Sequence, residues 1–498
     1  MNRDLFIFDI AQNHCGSLTH GLDIIASVKH LTNKYPEFDL AIKFQMREIS
    51  TFIHPDYKNR TDIKYVKRFK ETELTSSEFI LLNDEAKRCG FKTISTAFDE
   101  SSVEQVAEMK FDYIKIGSCS FTDWPLLNKI AATDLPIIAS CAGSSEEDLN
   151  KVVSFFVNRN KSFSLMHCVG EYPTLSGNLQ LNQIKFLRDK YPNIEIGYST
   201  HEEPNNFNSI YCAVALGAKL FEKHVCLENS QFVCPNLYSV NSEQIDSWLK
   251  NAREAIKMCG VKNQRCSATK KEQSDLKTFK RGVFLKRGIE KGEQITRSDV
   301  FYAFPNIENQ VLANDMSKYA KIISDIPLKE NQPLLFKDIY FSNERERVFS
   351  YVQKIKEIIK KSGIIIPKNS RLELSHHNGL DKFEETGLSM ITVINKDYCK
   401  KYLILLPGQK HPEQMHRIKK ETFYVLYGDI NLFLDDQCSN LKVGDIRTIE
   451  PNTRHKFFSL NGSVVEELST THMANDSFYT DEKINNNLDR KTTISFWE

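Results

Sequence analysis

Eight short apolar runs, each five to eight residues long, punctuate the first 260 or so residues, and helical patterns follow most of them. The runs are Leu5–Ala11, Leu40–Gln45, Phe91–Phe98, Tyr113–Gly117, Pro136–Ser140, Phe163–Cys168, Ile194–Ser199 and Ala218–His224. Leu18–Leu31, Glu100–Met109 and Asn205–Leu216 are three of the amphipathic stretches between them. Continuous apolar strands spaced by helices read as parallel strands covered on both faces. Eight such units fit a (β/α)8 barrel, placed at residues 1–265. A doubly wound open sheet is the alternative with the same local pattern.

At 498 residues the chain has room for roughly three domains. A polar, charged stretch from Asn263 to Lys277 marks the first boundary. Beyond it, Arg281–Tyr340 carries one pattern twice: a β-like piece, a Lys-Gly-Glu or Lys-Glu-Asn turn, then Asp-Val or Asp-Ile. This reads as a small pseudo-repeat module over 278–341. An amphipathic helix, Val348–Lys361, leads to a strand-rich segment: Met390–Asn395, Lys401–Leu406, Thr422–Tyr427, Ile430–Leu434, Ile446–Ile449 and Val464–Glu467. Glycine-containing turns between such strands predict an antiparallel jelly roll over 365–485. The polar tail Asn485–Arg490 is expected to be poorly ordered.

The balance of 66 Lys+Arg against 65 Asp+Glu gives no electrostatic footprint for nucleic acid or an acidic membrane. No run reaches the ~18 apolar residues of a membrane span. The 12 cysteines are scattered without a CxxC pair, the usage of a reducing, cytoplasmic compartment.

Barrel enzymes carry their chemistry where strands end. Here the ends supply Asp9 with Gln12-Asn13-His14, Lys43 and Gln45, Thr96 through Asp99, Lys115 and Ser118, Ser140, His167 through Tyr172, Ser199-Thr200-His201, and Glu222-Lys223-His224. Two lysines among Ser and Thr hydroxyls suit a phosphate or a phosphorylated carboxylate. The bland reading pairs Lys43 and Lys115 with Asp9 and Asp99 as buried structural ions. His201 and His224 end neighbouring strands, so their imidazoles can share one divalent ion: Mn²⁺, Mg²⁺, Co²⁺ or Zn²⁺.

The motifs Asp9-Ile-Ala-Gln-Asn-His-Cys-Gly-Ser-Leu18, Ile42-Lys-Phe-Gln45, Ser95-Thr-Ala-Phe98, Lys115-Ile-Gly-Ser118, His167-Cys with Tyr172-Pro-Thr174, Gly197-Tyr-Ser-Thr-His201 and Glu222-Lys-His224 occur in that order. Together they resemble the sialic acid (nonulosonic acid) synthases, which condense phosphoenolpyruvate with an open-chain six-carbon sugar aldehyde. The resemblance spans the whole barrel. It implies that Lys43, Thr96, Lys115, Ser118, Ser140 and Ser199 surround phosphoenolpyruvate, and that His201 and His224 hold a divalent metal, Mn²⁺ or Mg²⁺. Asp9, where the family usually has Glu, is a candidate for proton or water handling. Gln45, Tyr172 and Glu222 fall among the substrate-binding positions. Residues 281–340 look like the antifreeze-like (SAF) module of these synthases, which crosses a dimer to lid the partner's site and so implies a domain-swapped homodimer.

Three positions depart from the family pattern: Ser120 replaces a sugar-contacting Glu, Gly170 an Asn, and Phe304 the Arg of an Arg-Pro pair. All three concern the sugar side, which implies an altered acceptor. In the alternative, Glu171 or Glu202 replaces the missing carboxylate on the usual substrate.

Gly408 through Glu421, with Gly428, resembles the first cupin motif, and Gly444-Asp445 through His455 the second. The implied metal ligands are Gln414 in the first histidine's place, His416, Glu421 and His455. His411 has the wrong strand phase, and Glu467 is a further inward candidate. The segment is most similar to sugar-isomerase-type cupins, implying an isomerase, an epimerase, or a cupin that binds sugar or metal without turnover. Two competing readings of the chain are a carbohydrate-binding or regulatory protein on the same scaffold, and a synthase of a shorter 3-deoxy-ulosonic acid.

Overall fold

The computed structural model describes residues 3–227, 232, 236–473, 475–487, 489–495 and 497. The chain divides into two compact units, Met1–Cys266 and Ser267–Glu498. In the first, β1 (Leu5–Ala11), β2 (Asp39–Met46), β3 (Lys92–Ala97), β4 (Tyr113–Ile116), β5 (Ile137–Ser140), β6 (Phe163–Cys168), β7 (Glu195–Ser199) and β8 (Leu220–His224) form a closed parallel barrel in sequence order. The open-sheet alternative is excluded because β1 pairs with both β2 and β8.

Side chains alternate across each strand. Phe6, Phe8 and Ile10 point outward into the layer shared with Ile24, Ile25 and Trp248 of the surrounding helices. Leu5 and Ile7 point inward, packing with Ala41, Ile94, Ile138, Met166 and Leu220 to plug the barrel's lower half. One pleat further along each strand, the inward positions become polar: Asp9 stands beside Lys43 on one side and His224 on the other. Thr96 stands beside Gln45 and Lys115, and Ser199 beside Glu222. The period that buries the core therefore also delivers an ionic layer to the C-terminal mouth.

The second unit opens with an exposed helix, Lys270–Thr278, inside the polar boundary stretch. The module that follows has two antiparallel pairs, β9 (Gly282–Leu285) with β10 (Val300–Ala303) and β11 (Ala320–Ser324) with β12 (Ile339–Asn343). Its pseudo-repeat has a physical basis, since Ile289 and Leu328 occupy equivalent places and exchange backbone hydrogen bonds of 2.9 and 2.8 Å. The helix Arg345–Ser362 then lays Val348, Tyr351, Val352, Ile355 and Ile358 against Leu372, Ile404 and Val464.

The strand-rich segment comprises β13 (Leu372–Ser375), β14 (Leu388–Asn395), β15 (Tyr398–Leu405), β16 (Lys410–Met415), β17 (Glu421–Tyr427), β18 (Asp429–Leu434), β19 (Gln437–Lys442), β20 (Ile446–Ile449), β21 (His455–Phe458), β22 (Ser463–Thr470), β23 (Phe478–Tyr479) and β24 (Lys491–Ile494). They form two sheets, ordered β20-β17-β22-β15-β14-β13-β24 and β19-β18-β21-β16-β23. The sheets continue past residue 485, because β24 pairs with β13. Within the tail expected to be poorly ordered, Leu488 lies outside the described residues, and the two ends are tied down: the Asn485 carboxamide accepts from Tyr479 N at 3.0 Å, and Arg490 O accepts from His376 N at 2.8 Å. Among the described residues no helix is long and apolar enough to cross a membrane.

Candidate functional site

At the barrel mouth one carboxylate gathers both lysines. Glu222 accepts from Lys43 Nζ at 2.9 Å and from Lys115 Nζ at 2.7 Å, and Ser199 Oγ donates to it at 3.2 Å. Lys43 also reaches Asp9 Oδ2 at 2.9 Å. Lys43 and Lys115 stand on β2 and β4, so closure of the barrel through β8 is what brings them to one acceptor. Asp99 is elsewhere: it caps the helix Glu100–Glu108 through Ser102 N at 2.8 Å and accepts from Glu48 N at 2.9 Å. The bland pairing of Lys115 with Asp99 is thereby overturned, whereas that of Lys43 with Asp9 is present.

The four charged side chains are buried. Burial opposes the ammonium of Lys43, but Asp9 and Glu222 outweigh it and raise its pKa. Burial lowers that of Lys115, against the pull of Glu222 and with the repulsion of Lys43. Burial likewise opposes the charge on Glu222, yet Lys115 and Lys43 hold its pKa well below the ordinary carboxylate range. Two cations and two carboxylates leave the cluster neutral, so an anionic substrate arriving here calls for a further cation.

His201 and His224 stand beside the cluster with ring centroids 5.3 Å apart. Burial, then His224, lowers the pKa of His201 to about 3, and burial lowers that of His224. Neutral imidazoles are the form that ligates metal. The backbone carbonyl of Val169, 3.2 Å from His201 Nδ1, orients that ring and leaves Nε2 for a ligand. His224 Nε2 faces Asp9 Oδ2 at 3.4 Å, and its buried Nδ1 has no hydrogen-bond partner. This donor set fits a divalent ion with Asp9 alongside.

The remaining barrel positions are placed as follows. Gln45 Nε2 donates to Asp9 Oδ2 at 3.3 Å. Thr96 Oγ1 is buried without a partner, and Ser140 is buried at the end of β5. Ser118 Oγ accepts from Ala142 N at 3.1 Å, which ties it to the loop after β5. Tyr172 is 58% exposed with its ring 4.4 Å from His201. Glu171 and Glu202 are engaged elsewhere: Asn178 Nδ2 donates to Glu171 at 2.9 and 3.1 Å, and buried Glu202 holds Lys223 at 3.2 Å and Ser209 Oγ at 2.5 Å. Ser120 is buried, Phe304 is exposed, and a side chain at Gly170 would meet only the Ala142 Cβ, at 3.8 Å.

Sequence reasoning missed Tyr238 and Arg47. Tyr238 stacks edge-on against His201 at 5.3 Å and His224 at 5.0 Å. Arg47 lies 3.6 Å over the Phe98 ring and donates to Gln45 Oε1 at 3.5 Å, with burial lowering its pKa to about 10. Both lie beyond the strand runs: Arg47 follows closely on Gln45 in the chain, whereas Tyr238 stands far past His224 and carries no such signal.

In the second unit His416, Glu421 and His455 bring ligand atoms within 4.8 Å of one another, the one such group of His, Cys, Asp or Glu donors among the described residues. Asp476 O and Thr453 O fix the Nδ1 atoms of His416 and His455, leaving each Nε2 directed inward. Gln414 Nε2 lies 3.3 Å from His455 Nε2 and 3.5 Å from His416 Nε2, in the fourth place. These donors fit a divalent metal. One internal cation already sits against them: Lys419 Nζ lies 2.5 Å from both Glu421 Oε2 and Glu467 Oε1.

The phase argument against His411 fails. A bulge in β16 between His411 and Gln414 shifts the register, and both side chains line one cavity that opens to solvent. His411 stacks on Phe457 at 4.7 Å rather than joining the ligand group.

Comparison with known proteins agrees with the geometry. The sequence profile of the NeuB family matches residues 39–264, and that of the cupin domain matches residues 401–468. A crystal structure from Chromobacterium violaceum, described as a spore coat polysaccharide biosynthesis protein E, is 44% identical, with a TM-score of 0.65, over 68% of this chain and 100% of that one. The N,N'-diacetyllegionaminic acid synthase of Campylobacter jejuni is 25% identical over 66% of this chain and 97% of its own length. The N-acetylneuraminate-9-phosphate synthase of Drosophila melanogaster is 30% identical over 45% of this chain and 60% of its own. With these relatives matching along the barrel and a second profile matching the strand-rich segment, the chain belongs to the NeuB family and carries a cupin domain toward its C-terminal end.

Proposed function

We propose that the barrel condenses phosphoenolpyruvate with an open-chain six-carbon sugar aldehyde, giving a 3-deoxy-nonulosonic acid and phosphate. The observation that supports this most is the buried Lys43–Glu222–Lys115 bridge beside the His201/His224 pair. Lys43 and Lys115, with the hydroxyls of Thr96, Ser118, Ser140 and Ser199, bind the phosphate and carboxylate of phosphoenolpyruvate. His201 and His224 would hold Mn²⁺ or Mg²⁺, which supplies Lewis acidity toward the aldehyde oxygen. Carbon 3 of the enol bonds to the aldehyde carbon, water adds at carbon 2, and phosphate leaves by C–O cleavage. Asp9 handles the proton of that water, held in place by Lys43 and Gln45. Gln45, Tyr172 and Glu222 orient the substrates, Glu222 by fixing both lysines.

The acceptor differs from N-acetylmannosamine in its substituents. Ser120, Gly170 and Phe304 remove the family's sugar-side groups, while Glu171 and Glu202 are committed to Asn178 and to Lys223. Residues 278–341 act as a SAF lid in a homodimer, a reading supported by the module's resemblance and tested by light scattering. The cupin, with Gln414, His416, Glu421 and His455 around a second divalent metal, serves a sugar.

The test is phosphate release from phosphoenolpyruvate with Mn²⁺ across N-acetylated and plain six-carbon sugars, with product masses. Release with one acceptor and a product nine carbons long is the expected result. N-acetylmannosamine outperforming every other acceptor would refute the altered-acceptor reading. Failure of phosphoenolpyruvate to bind at all would refute the synthase reading.

A further inference from the structure

The cupin cavity contains cations that the His-Glu-His group does not use. Lys401 on β15 is only 4% exposed and lines the cavity. Its cross-strand neighbour on β22 is Glu467, the natural partner. That carboxylate is taken instead by Lys419 at 2.5 Å and by Ser469 Oγ at 3.1 Å. Among the described residues no carboxylate lies within 4.0 Å of Lys401 Nζ and no hydrogen bond holds it. A buried ammonium without a partner is costly, and one kept beside an open cavity is suited to an incoming anion.

Arg490 stands on the same cavity with its guanidinium 4.9 Å over the Tyr479 ring and, among the described residues, no carboxylate partner. Its neighbour Lys491 is neutralised by Glu373 at 2.8 Å. His411 and His472 also line the wall, and each has a buried Nδ1 without a hydrogen-bond partner. Phe423 and Phe457 supply an apolar wall.

We propose that this cavity binds a sugar bearing a carboxylate, with Lys401 and Arg490 on the carboxylate and His411 and His472 on hydroxyl groups. The anionic group follows from the unpaired cations. The choice of carboxylate over phosphate ester rests on the synthase reading, whose product is itself a sugar acid. The cupin then acts on, or senses, what the barrel makes, and the neutral acceptor sugar is not its ligand.

The test is calorimetry on the full chain with N-acetylneuraminate, N-acetylmannosamine and N-acetylmannosamine 6-phosphate. The sugar acid should bind tightest. Lys401→Met and Arg490→Gln should each weaken it by about tenfold or more, while Lys401→Arg should stay within about threefold. Lys115→Met, in the barrel, separates product binding there from binding in the cupin, and the cupin event should survive it. Lys401→Met should melt no lower than the wild type, since it removes an uncompensated buried charge. If that variant fails to fold, Arg490→Gln alone decides. Unchanged affinity in Lys401→Met or Arg490→Gln, or tighter binding of the neutral sugar or the phosphate ester, would overturn the proposal. Phosphate release by the wild type is scored separately: its absence with sugar-acid binding intact refutes only the synthase reading, and the converse refutes only this one.

Discussion

Glu222→Gln keeps the side chain's shape and removes the one charge that joins Lys43 to Lys115. Lys43 retains Asp9 at 2.9 Å, but Lys115 has no other carboxylate within 4.0 Å among the described residues. Removing one member of a buried ion pair costs about 3–5 kcal/mol. The barrel can limit that cost by releasing the Lys115 proton, since burial already lowers its pKa. Holding a lysine neutral at pH 7 costs roughly 5 kcal/mol, so both routes give the same scale. At about 2–4 °C per kcal/mol for a unit of this size, the barrel should melt about 6–20 °C lower at pH 7. The sign with pH is set by both partners. The depressed pKa of Glu222 makes its contribution complete above about 4.5 and lost as pH falls below that. In the variant, Lys115 is lowered further, so its deficit is relieved as pH rises toward 10.4, where the unfolded chain also loses the proton. The gap between wild type and variant should therefore be greatest across about pH 5–7 and narrow on either side, shrinking steadily from about pH 7 toward 10. Thermal unfolding followed by the fluorescence of buried Trp248 measures it. A gap under about 3 °C at pH 7, or one that widens between pH 7 and 10, would refute the argument.

Three further outcomes are expected. His201→Ala and His224→Ala should each abolish phosphate release and lower the Mn²⁺ content of the purified chain, read by elemental analysis. Gly197→Ala should destabilise the barrel by about 1–3 kcal/mol in urea unfolding, because the new Cβ would meet the Leu220 Cβ and O at 2.8 Å and Met166 Cγ at 3.0 Å. Lys419→Met should cost the second unit about 3–5 kcal/mol by leaving Glu421 and Glu467 uncompensated. Divalent metal should then raise its melting temperature more than it raises that of the wild type.

The eight barrel strands were legible because each is a continuous apolar run, and β1 and β6 have the bounds read from sequence. Local periodicity follows from backbone geometry and burial alone, so one chain of letters carries it. His201 and His224, the proposed ligands, were legible because they follow two neighbouring apolar runs. Short polar strands such as β16, β19 and β21 were not, since histidines, glutamines and lysines in them blur the alternation. Nor was β24, whose partner β13 lies more than 110 residues away and whose pairing depends on the tail returning to the sheet edge.

What the sequence determined by itself is the type of each element and the residues available at each strand end. The tertiary structure decided which of them meet. Barrel closure puts Glu222 between two lysines from β2 and β4, and leaves Asp99 capping a helix. A single bulge turns His411 inward, and competition for Glu467 leaves Lys401 facing the cavity alone. Period and propensity are properties of neighbours along the chain. Charge pairing is settled by distances of about 3 Å between residues far apart in sequence, and only the closed fold sets those.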